Sequence, residues 1–319
     1  MMDSVAFVID PLHMSKGAVA PPIELAKYFM TEDINSILIA PFADKEIAEE
    51  LENIGLKIYS LKRRAITLSK VPTFDTWLEA VLRVALGCRG QDLQIEGKYI
   101  VINTSSSLVV PSHFYYGQGP MTCALRDMLK GSLKAGLRVT IKTLLPLLRY
   151  LEKRFLVCLR KHSKIFLTNS YFTKKMYENM DITVNGVIYP PLNTEKFRPT
   201  TGRPSKEYVL TYIGVGGKEG IPEVIRKIAD KGVKIKAFGI KALYVPKDIF
   251  EHPNIEFLGY VSDEELINLY SNALYTLFTF THEPFGYIPV ESMACGTPVL
   301  TYNKPVSYTH LRAHETEAD

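Results

Sequence analysis

Two glutamates near the end of the chain, Glu283 and Glu291, are spaced so that their carboxylates can act on one ligand. The apolar run Ala273 to Phe280 predicts a buried strand before the first, and the segment after Pro289 predicts a helix that Gly296 ends. Glu283 would then follow the carboxyl end of a parallel strand, and Glu291 would fall in the first turn of the next helix. Ligands of open α/β sheets bind at this edge, where both acids could accept hydrogen bonds. The alternative is an ordinary strand, loop and helix with two surface acids.

The residues around this pair carry a family resemblance. Phe285 and Gly286 lie between the glutamates, and the run Met293 to Val299 follows them. The combination resembles the retaining glycosyltransferases of family GT4, whose fold is called GT-B. The resemblance implies that Glu283, with the amides around Phe285 and Gly286, contacts the donor sugar and is a candidate catalytic residue. It implies that Glu291 holds the ribose hydroxyls of the nucleotide, a vicinal diol that suits a carboxylate.

A glycine-rich segment that begins at Gly214 is the next candidate for the donor site. It is not the dinucleotide-binding fingerprint, because Glu219 stands where the third glycine is required. Members of GT4 carry an arginine after the first glycine and a lysine before the last, both on the donor diphosphate. Here Lys218 matches approximately and Val215 replaces the arginine. Gly214, Gly216 and Lys218 are therefore predicted to bind the diphosphate, partly through backbone N–H groups. The alternative is a plain turn that opens a helix.

The resemblance also marks positions on the acceptor side. Gly17 and Ala18, in the loop after the first predicted strand, partly match the paired glycines that line the acceptor cleft in GT4; a flexible surface loop is the alternative. His113 lies in an aromatic-rich loop predicted to follow the strand Leu108 to Val110. It stands where relatives keep a cleft histidine near the transferred sugar, so it is the second candidate catalytic residue. The alternative is a structural or exposed histidine.

Strands alternate with helices along most of the chain, which predicts parallel sheets covered on both faces. The predicted strands are Ser4 to Ile9, Ser36 to Ala40, Leu56 to Tyr59, Tyr99 to Asn103, Leu108 to Val110, Lys164 to Thr168, Tyr208 to Ile213, Lys234 to Phe238, Ile255 to Leu258, Ala273 to Phe280 and Pro298 to Thr301. Together with the resemblance, the predicted fold class is α/β of the GT-B kind, with two doubly wound Rossmann-like domains facing a cleft.

Prolines clustered after residue 189 mark a linker between the two domains. We predict an acceptor-side domain over residues 1–190 and a donor-binding domain over residues 191–305. Residues 306–319 resemble translated sequencing-adapter sequence, so we interpret them as a non-native tail. The donor-binding domain is accordingly predicted to be incomplete, without the glycine-rich loop and the long crossing helix of the family.

Composition limits the other function classes. A chain of 319 residues with 46% hydrophobic and 23% charged residues is an ordinary globular protein of about two domains. Its net charge of +4 gives no reason to expect a nucleic-acid partner. The cysteines lack C-x-x-C spacing, which favours reduced thiols and a cytoplasmic location, and no signal peptide or membrane span is predicted. No metal-ligand cluster is apparent, so we expect no metal and no cofactor besides the nucleotide-sugar substrate.

Residues 126–164 are strongly basic and carry leucines at helical spacing. Such a helix can lie on an anionic membrane surface, which would place the protein at the cytoplasmic membrane face. The same pattern also describes a helix that packs on a core and exposes its charges to solvent. Core packing is the favoured interpretation, and peripheral membrane contact stays open because many GT4 relatives use lipid-linked acceptors.

The predicted function is therefore transfer of a sugar, with retention of configuration, from a nucleotide-sugar donor to a lipid-linked or saccharide acceptor. Val215 in place of the family's arginine leaves an alternative, a non-catalytic subunit that binds a nucleotide sugar or a partner enzyme. A third possibility is an inactive fragment of such an enzyme.

Overall fold

The computed structural model describes residues 4–12, 19–61, 72–85, 93–95, 97–129, 135–200, 202, 204–214, 221–241, 245–280 and 283–301. The chain divides into two compact units. The first comprises residues 1–123 and 144–190, and the second comprises residues 124–143 and 191–319. Each unit is built on one parallel sheet. The predicted domain ranges stay predictions, and the adapter-like tail lies outside the described residues.

The first sheet has seven strands. They are β1 (Ser4–Val8), β2 (Asn35–Ala40), β3 (Lys57–Ser60), β4 (Ile100–Asn103), β5 (Ser112–Gly117), β6 (Ser163–Thr168) and β7 (Gly186–Val187). Their order is β3-β2-β1-β4-β5-β6-β7, and neighbouring strands run parallel. Val5 to Val8 are buried, as expected for a central strand covered on both faces. The order reverses between β1 and β4, so the carboxyl ends of these two strands lie side by side.

The second sheet has five strands. They are β8 (Val209–Ile213), β9 (Ile235–Gly239), β10 (Ile255–Gly259), β11 (Tyr275–Phe278) and β12 (Val299–Thr301). Their order is β10-β9-β8-β11-β12, again with parallel neighbours. This order reverses between β8 and β11. In open α/β sheets the carboxyl edge at such a reversal is where ligands bind.

Ten helices accompany these strands in the described part of the chain. They are α1 (Ala20–Thr31), α2 (Lys45–Asn53), α3 (Pro72–Ala85), α4 (Met121–Met128), α5 (Ala135–Lys161), α6 (Tyr171–Glu178), α7 (Pro222–Ala229), α8 (Lys247–Glu251), α9 (Asp263–Asn272) and α10 (Tyr287–Ala294). Local sequence explains several helix starts. Ser170 caps α6 by accepting from the Thr173 N–H at 3.0 Å, and Ser262 forms a capping box with Glu265 at α9.

One predicted strand is wrong. Leu108 to Val110 are buried but do not form a strand, and the strand that follows β4 is Ser112–Gly117 instead. Pro111 has no N–H to give to a ladder, whereas Phe114 and Tyr115 of β5 pair with both β4 and β6. An apolar triplet before a proline therefore fills the core, and the aromatic segment after it forms the sheet.

Candidate active site

The candidate site lies at the carboxyl edge of the second sheet, where its strand order reverses. Gly214 directly follows β8, and Glu283 follows the neighbouring strand β11. Helix α10 begins four residues after Glu283. The sequence thus sends a glycine and a carboxylate from two adjacent strands to the edge at which open α/β sheets bind ligands.

The turn into α10 brings three of the predicted residues together. Gly286 is the N-cap of α10 with a φ of +86°, in the left-handed region that favours glycine. A Cβ built on Gly286 would lie 3.4 Å from Cγ of Glu283, so the glutamate side chain packs against this turn. The ring of Phe285 packs edge-on against Tyr287 at 5.0 Å between centroids. Glu283, Phe285 and Gly286 therefore form one compact turn, and their contacts with a donor stay predictions.

Glu291 is farther along α10 than expected. Because the helix begins at Tyr287 and not after Pro289, Glu291 is its fifth residue, and the predicted place in the first turn is wrong. It lies about 6 Å along the helix axis from the first helical residue. Its Oε2 atom accepts a hydrogen bond from the hydroxyl of Tyr270 in α9 at 3.0 Å.

The surroundings of Glu291 bring the ionisation of its carboxyl group close to neutral pH. Burial raises the pKa of the carboxyl group to about 7, and the negative charge of Asp263 adds to this effect. The hydrogen bond from Tyr270 and the positive charge of Lys196 act in the opposite direction. Glu291 is therefore close to half ionised at pH 7. Hydrogen bonds donated by a diol would stabilise the ionised form of Glu291.

Gly214 has a structural reason to be glycine. A Cβ at this position would lie 2.4 Å from the ring of Tyr212, which packs edge-on against Phe238 and Phe280. Gly239, at the end of β9, is more constrained, since a Cβ there would lie 2.3 Å from the carbonyl oxygen of Ile213. The diphosphate-binding role of Gly214 stays a prediction. Sequence reasoning missed the Tyr212 ring, although a tyrosine two residues before a strand-end glycine is visible in the chain.

Four other predicted site residues lie outside the described part of the chain. They are Gly17 and Ala18 on the acceptor side and Gly216 and Lys218 in the diphosphate segment. Their roles stay predictions.

His113 does not lie in a loop at a strand's carboxyl end, and that prediction is wrong. It is the second residue of β5, so it sits at the amino end of the strand, about 13 Å from the carboxyl end. Its Nδ1 accepts a hydrogen bond from the Val101 N–H at 3.1 Å. Burial, with a smaller effect from the charge of Lys164, lowers the pKa of His113. The misplaced strand Leu108 to Val110 caused the error in location, and the catalytic role of His113 stays a prediction.

Asp10 is a buried carboxylate at the carboxyl edge of the first sheet that sequence reasoning did not single out. It follows β1 and accepts hydrogen bonds from the Ser105 hydroxyl at 3.0 Å, the Ser106 N–H at 2.8 Å and the Ser106 hydroxyl at 3.0 Å. Burial raises the pKa of Asp10 to about 6, although these hydrogen bonds oppose the shift. The serines come from the turn after β4, so Asp10 ties together the two strands at the reversal of the first sheet.

Glu152 is a second buried carboxylate in the first unit. Its Oε1 accepts from Trp77 Nε1 at 3.0 Å and from the Met121 N–H at 2.7 Å. Its Oε2 accepts from the Thr122 N–H at 3.1 Å and from the Thr122 hydroxyl. Glu152 on α5 therefore caps the N-terminus of α4 and fixes the indole of α3.

The described residues contain no group of three or more His, Cys, Asp or Glu side chains arranged to hold a metal ion. The expectation of a reaction without a metal stays a prediction.

The segment that carries the two glutamates also matches a family of known proteins. Residues 193–316 match the family model of glycosyl transferases group 1. The capsular polysaccharide biosynthesis glycosyltransferase CapM of Staphylococcus aureus is 28% identical over 163 aligned residues, covering 43% of this chain. The alignment spans 41% of that relative, so this chain matches less than half of its length.

Solved structures match over nearly the whole chain. Anabaena Alr3699/HepE in complex with UDP has a TM-score of 0.62 at 14% identity, covering 95% of this chain and 82% of that one. Sucrose-phosphate synthase from Thermosynechococcus elongatus has a TM-score of 0.62 at 14% identity, covering 94% and 81%. WaaG, a glycosyltransferase involved in lipopolysaccharide biosynthesis, has a TM-score of 0.58 at 14% identity, covering 97% and 83%. These likenesses confirm the predicted α/β fold of the GT-B kind. The family model covers less than half of the chain, so residues 193–316 are similar to the group 1 glycosyltransferases.

Proposed function

We propose that this protein transfers a sugar from a nucleotide-sugar donor to an acceptor hydroxyl, with retention of configuration at the anomeric carbon. The observation that carries the proposal is the turn from β11 into α10, which holds Glu283 against Gly286 and places Glu291 farther along the same helix. The family match covers this turn. A structural neighbour, Alr3699/HepE, was solved with UDP and with UDP-glucose, which supports a nucleotide sugar as the donor class.

Each part of the donor has a proposed partner. Glu291 accepts hydrogen bonds from the ribose diol, and charge-assisted bonds of this kind are the stronger ones. Glu283 and the backbone amides near Phe285 and Gly286 contact the sugar. Lys218 neutralises the diphosphate. All of these groups bind or orient the donor, and none of them attacks the anomeric carbon.

In the proposed reaction the bond between the anomeric carbon and the donor phosphate oxygen breaks, and a bond to the acceptor oxygen forms on the same face of the sugar. The acceptor proton passes to an oxygen of the leaving diphosphate. The protein then contributes by stabilising charge on the leaving group and on the sugar, in positions fixed before the reaction. We propose that no metal takes part.

The test combines binding with turnover. Titration calorimetry with uridine, guanosine and adenosine diphosphates identifies the nucleotide, and release of that diphosphate from its sugar derivatives reports the reaction. We expect Glu291→Gln to weaken nucleotide affinity roughly 10- to 100-fold, as loss of a charge-assisted bond to a diol would. We expect Glu283→Gln to lower turnover more than affinity.

Glu264→Gln is the matched control, because Glu264 is exposed on α9 in the same unit. It should leave both readouts unchanged. If no nucleoside diphosphate binds, or if both site variants behave like the control, the proposal is wrong. Nucleotide binding without turnover would favour the alternative raised by Val215, a non-catalytic subunit or an inactive fragment.

For the acceptor we propose a lipid-linked or saccharide molecule, with peripheral contact at the cytoplasmic membrane face. The structure divides the leucine stripe of α5 in two: Leu151, Phe155 and Leu159 are buried, whereas Leu147 and Tyr150 are 55% and 59% exposed. The exposed half also carries basic residues, which suits an anionic lipid surface. In the described part of the chain, no helix combines the length and the apolar composition that a membrane span requires.

Vesicle sedimentation tests this contact. We expect binding to vesicles with anionic lipid that weakens as salt rises, and less binding for Leu147→Ser than for wild type. Equal binding to neutral vesicles, or no binding to either kind, would contradict the membrane contact and leave the donor proposal intact.

A further inference from the structure

Tyr270 lies behind the candidate site and is held firmly. Its side chain is completely buried in α9, and its ring packs edge-on against Phe238 at 6.3 Å between centroids. Its carbonyl oxygen accepts a hydrogen bond from the Thr297 hydroxyl at 2.6 Å. Its own hydroxyl donates to Oε2 of Glu291 at 3.0 Å. Because packing and the backbone fix the buried ring of Tyr270, its hydroxyl is directed at the carboxylate of Glu291.

We propose that Tyr270 is the positioning residue for the donor nucleotide. Its hydroxyl holds one oxygen of Glu291 and leaves the other, Oε1, for the ribose diol. Among the described residues, none donates a hydrogen bond to Oε1. The inference rests on the proposed function, since it gives a reason why the carboxylate of Glu291 can meet a diol in a fixed orientation.

The hydrogen bond also acts on the charge that the diol needs. A hydroxyl that donates to a carboxylate favours its ionised form, and only that form offers acceptor positions on both oxygens. The other charged or titratable groups near Glu291 are Asp263 of α9, Lys196 before β8 and the thiol of Cys295. Lys196 and Asp263 form an ion pair with each other, so their opposite effects on Glu291 partly cancel. Tyr270 is therefore the neighbour whose removal should change the ionisation of Glu291 most.

The first test needs no ligand. Carbon-13 NMR of the glutamate carboxyl groups follows the titration of Glu291 in wild type and in Tyr270→Phe, which keeps the ring and removes the hydroxyl. We expect the titration midpoint near pH 7 in wild type to rise by about one pH unit in the variant, the size expected for a hydrogen bond to an ionised group. An unchanged midpoint would overturn the proposal.

Tyr208→Phe is the matched control. Tyr208 belongs to the same apolar cluster, and its hydroxyl donates to the Leu269 carbonyl oxygen at 2.8 Å and not to Glu291. The two variants therefore lose comparable buried hydrogen bonds. If both shift the Glu291 midpoint equally, the effect is general loosening of the core, and the proposal is wrong.

The second test uses the nucleoside diphosphate that binds wild type most tightly and its 2′,3′-dideoxy counterpart. For the ribose form, affinity should rise with pH through the Glu291 midpoint, and Tyr270→Phe should weaken it about fivefold at pH 7, as expected from the lower ionised fraction. The dideoxy form should show neither effect. If no nucleotide binds, the proposed function fails while the NMR result stands. If a nucleotide binds but Tyr270→Phe leaves the pH profile unchanged, the positioning role fails and the proposed function stands.

Discussion

The two units hold buried acids of different kinds. In the first unit, Asp10 and Glu152 each accept several hydrogen bonds from nearby donors, and both oxygens of Glu152 are occupied. In the second unit, Glu291 accepts one hydrogen bond, from Tyr270, among the described residues. A carboxylate whose oxygens are all engaged fastens parts of the fold together. A carboxylate with an open oxygen at a sheet reversal can still bind a ligand.

Removal of the Glu152 carboxylate should cause the largest loss of stability in the first unit. Glu152→Ala leaves the indole N–H of Trp77 and the amides of Met121 and Thr122 without their acceptor in a buried place. We expect a loss of about 3–5 kcal/mol in the free energy of unfolding of the first unit. Trp77 is the only tryptophan in the chain, so its fluorescence during urea denaturation reports this unit.

Glu52→Ala is the control for that experiment, because Glu52 is exposed on α2 of the same unit. Its effect should stay within about 0.5 kcal/mol. A loss below about 1 kcal/mol for Glu152→Ala would mean that a fully bonded carboxylate does not fasten the fold.

Asp10 should make the stability of the first unit depend on pH. Its pKa is raised from 3.8 to about 6 by burial, so the folded state keeps its proton more tightly than the unfolded state. The resulting stability is fully present below about pH 4 and is lost as pH rises through 6, which amounts to about 3 kcal/mol. In Asp10→Asn this loss is absent. The difference in unfolding free energy between variant and wild type should therefore move by about 2 kcal/mol, in favour of the variant, between pH 4 and pH 7, because the unfolded carboxyl group is already partly ionised at pH 4. A difference independent of pH would contradict the burial of an ionisable group there.

The sequence predicted the second edge far better than the first. Glu283, Gly286 and Glu291 were singled out by the spacing of the two acids and by the resemblance to GT4. The apolar run before them predicted the strand, whereas the helix begins earlier than predicted. Asp10 and Glu152 meet their partners across long stretches of sequence, at Ser105 and at Trp77. No local pattern encodes such a meeting. His113 was misplaced for a related reason, since the apolar run before Pro111 has the composition of a strand and only pairing with β4 and β6 decides otherwise.

Glycines test how tightly the second edge is built. Gly239→Ala would place a Cβ 2.3 Å from the carbonyl oxygen of Ile213 at a φ of +120°, whereas at Gly232, with a φ of +82°, a Cβ meets nothing within 4 Å. Both variants pay for a left-handed conformation, but only the first also collides with backbone. We expect Gly239→Ala to cost about 2 kcal/mol more than Gly232→Ala, measured by scanning calorimetry. Equal costs would mean that the β8 and β9 ends can separate freely.

The smallest effect is expected at Gly286. A Cβ there would make an ordinary contact at 3.4 Å with Cγ of Glu283, so Gly286→Ala costs only the left-handed φ of +86°, about 1 kcal/mol in calorimetry. A loss similar to that of Gly239→Ala would show that the turn beside Glu283 is as crowded as the strand ends. In that case the turn beside Glu283 would be as tightly packed as the buried acids of the first unit.

The bonds of Glu152 also set an order for folding on the ribosome. Helix α4 emerges from the exit tunnel before the carboxylate that satisfies its first amides, because Glu152 lies later in the chain, on α5. Domains commonly fold as the nascent polypeptide lengthens. The hydrogen bonds that Glu152 makes with α3 and α4 can form only after α5 has been synthesised, so the first unit becomes complete only in the later part of its translation.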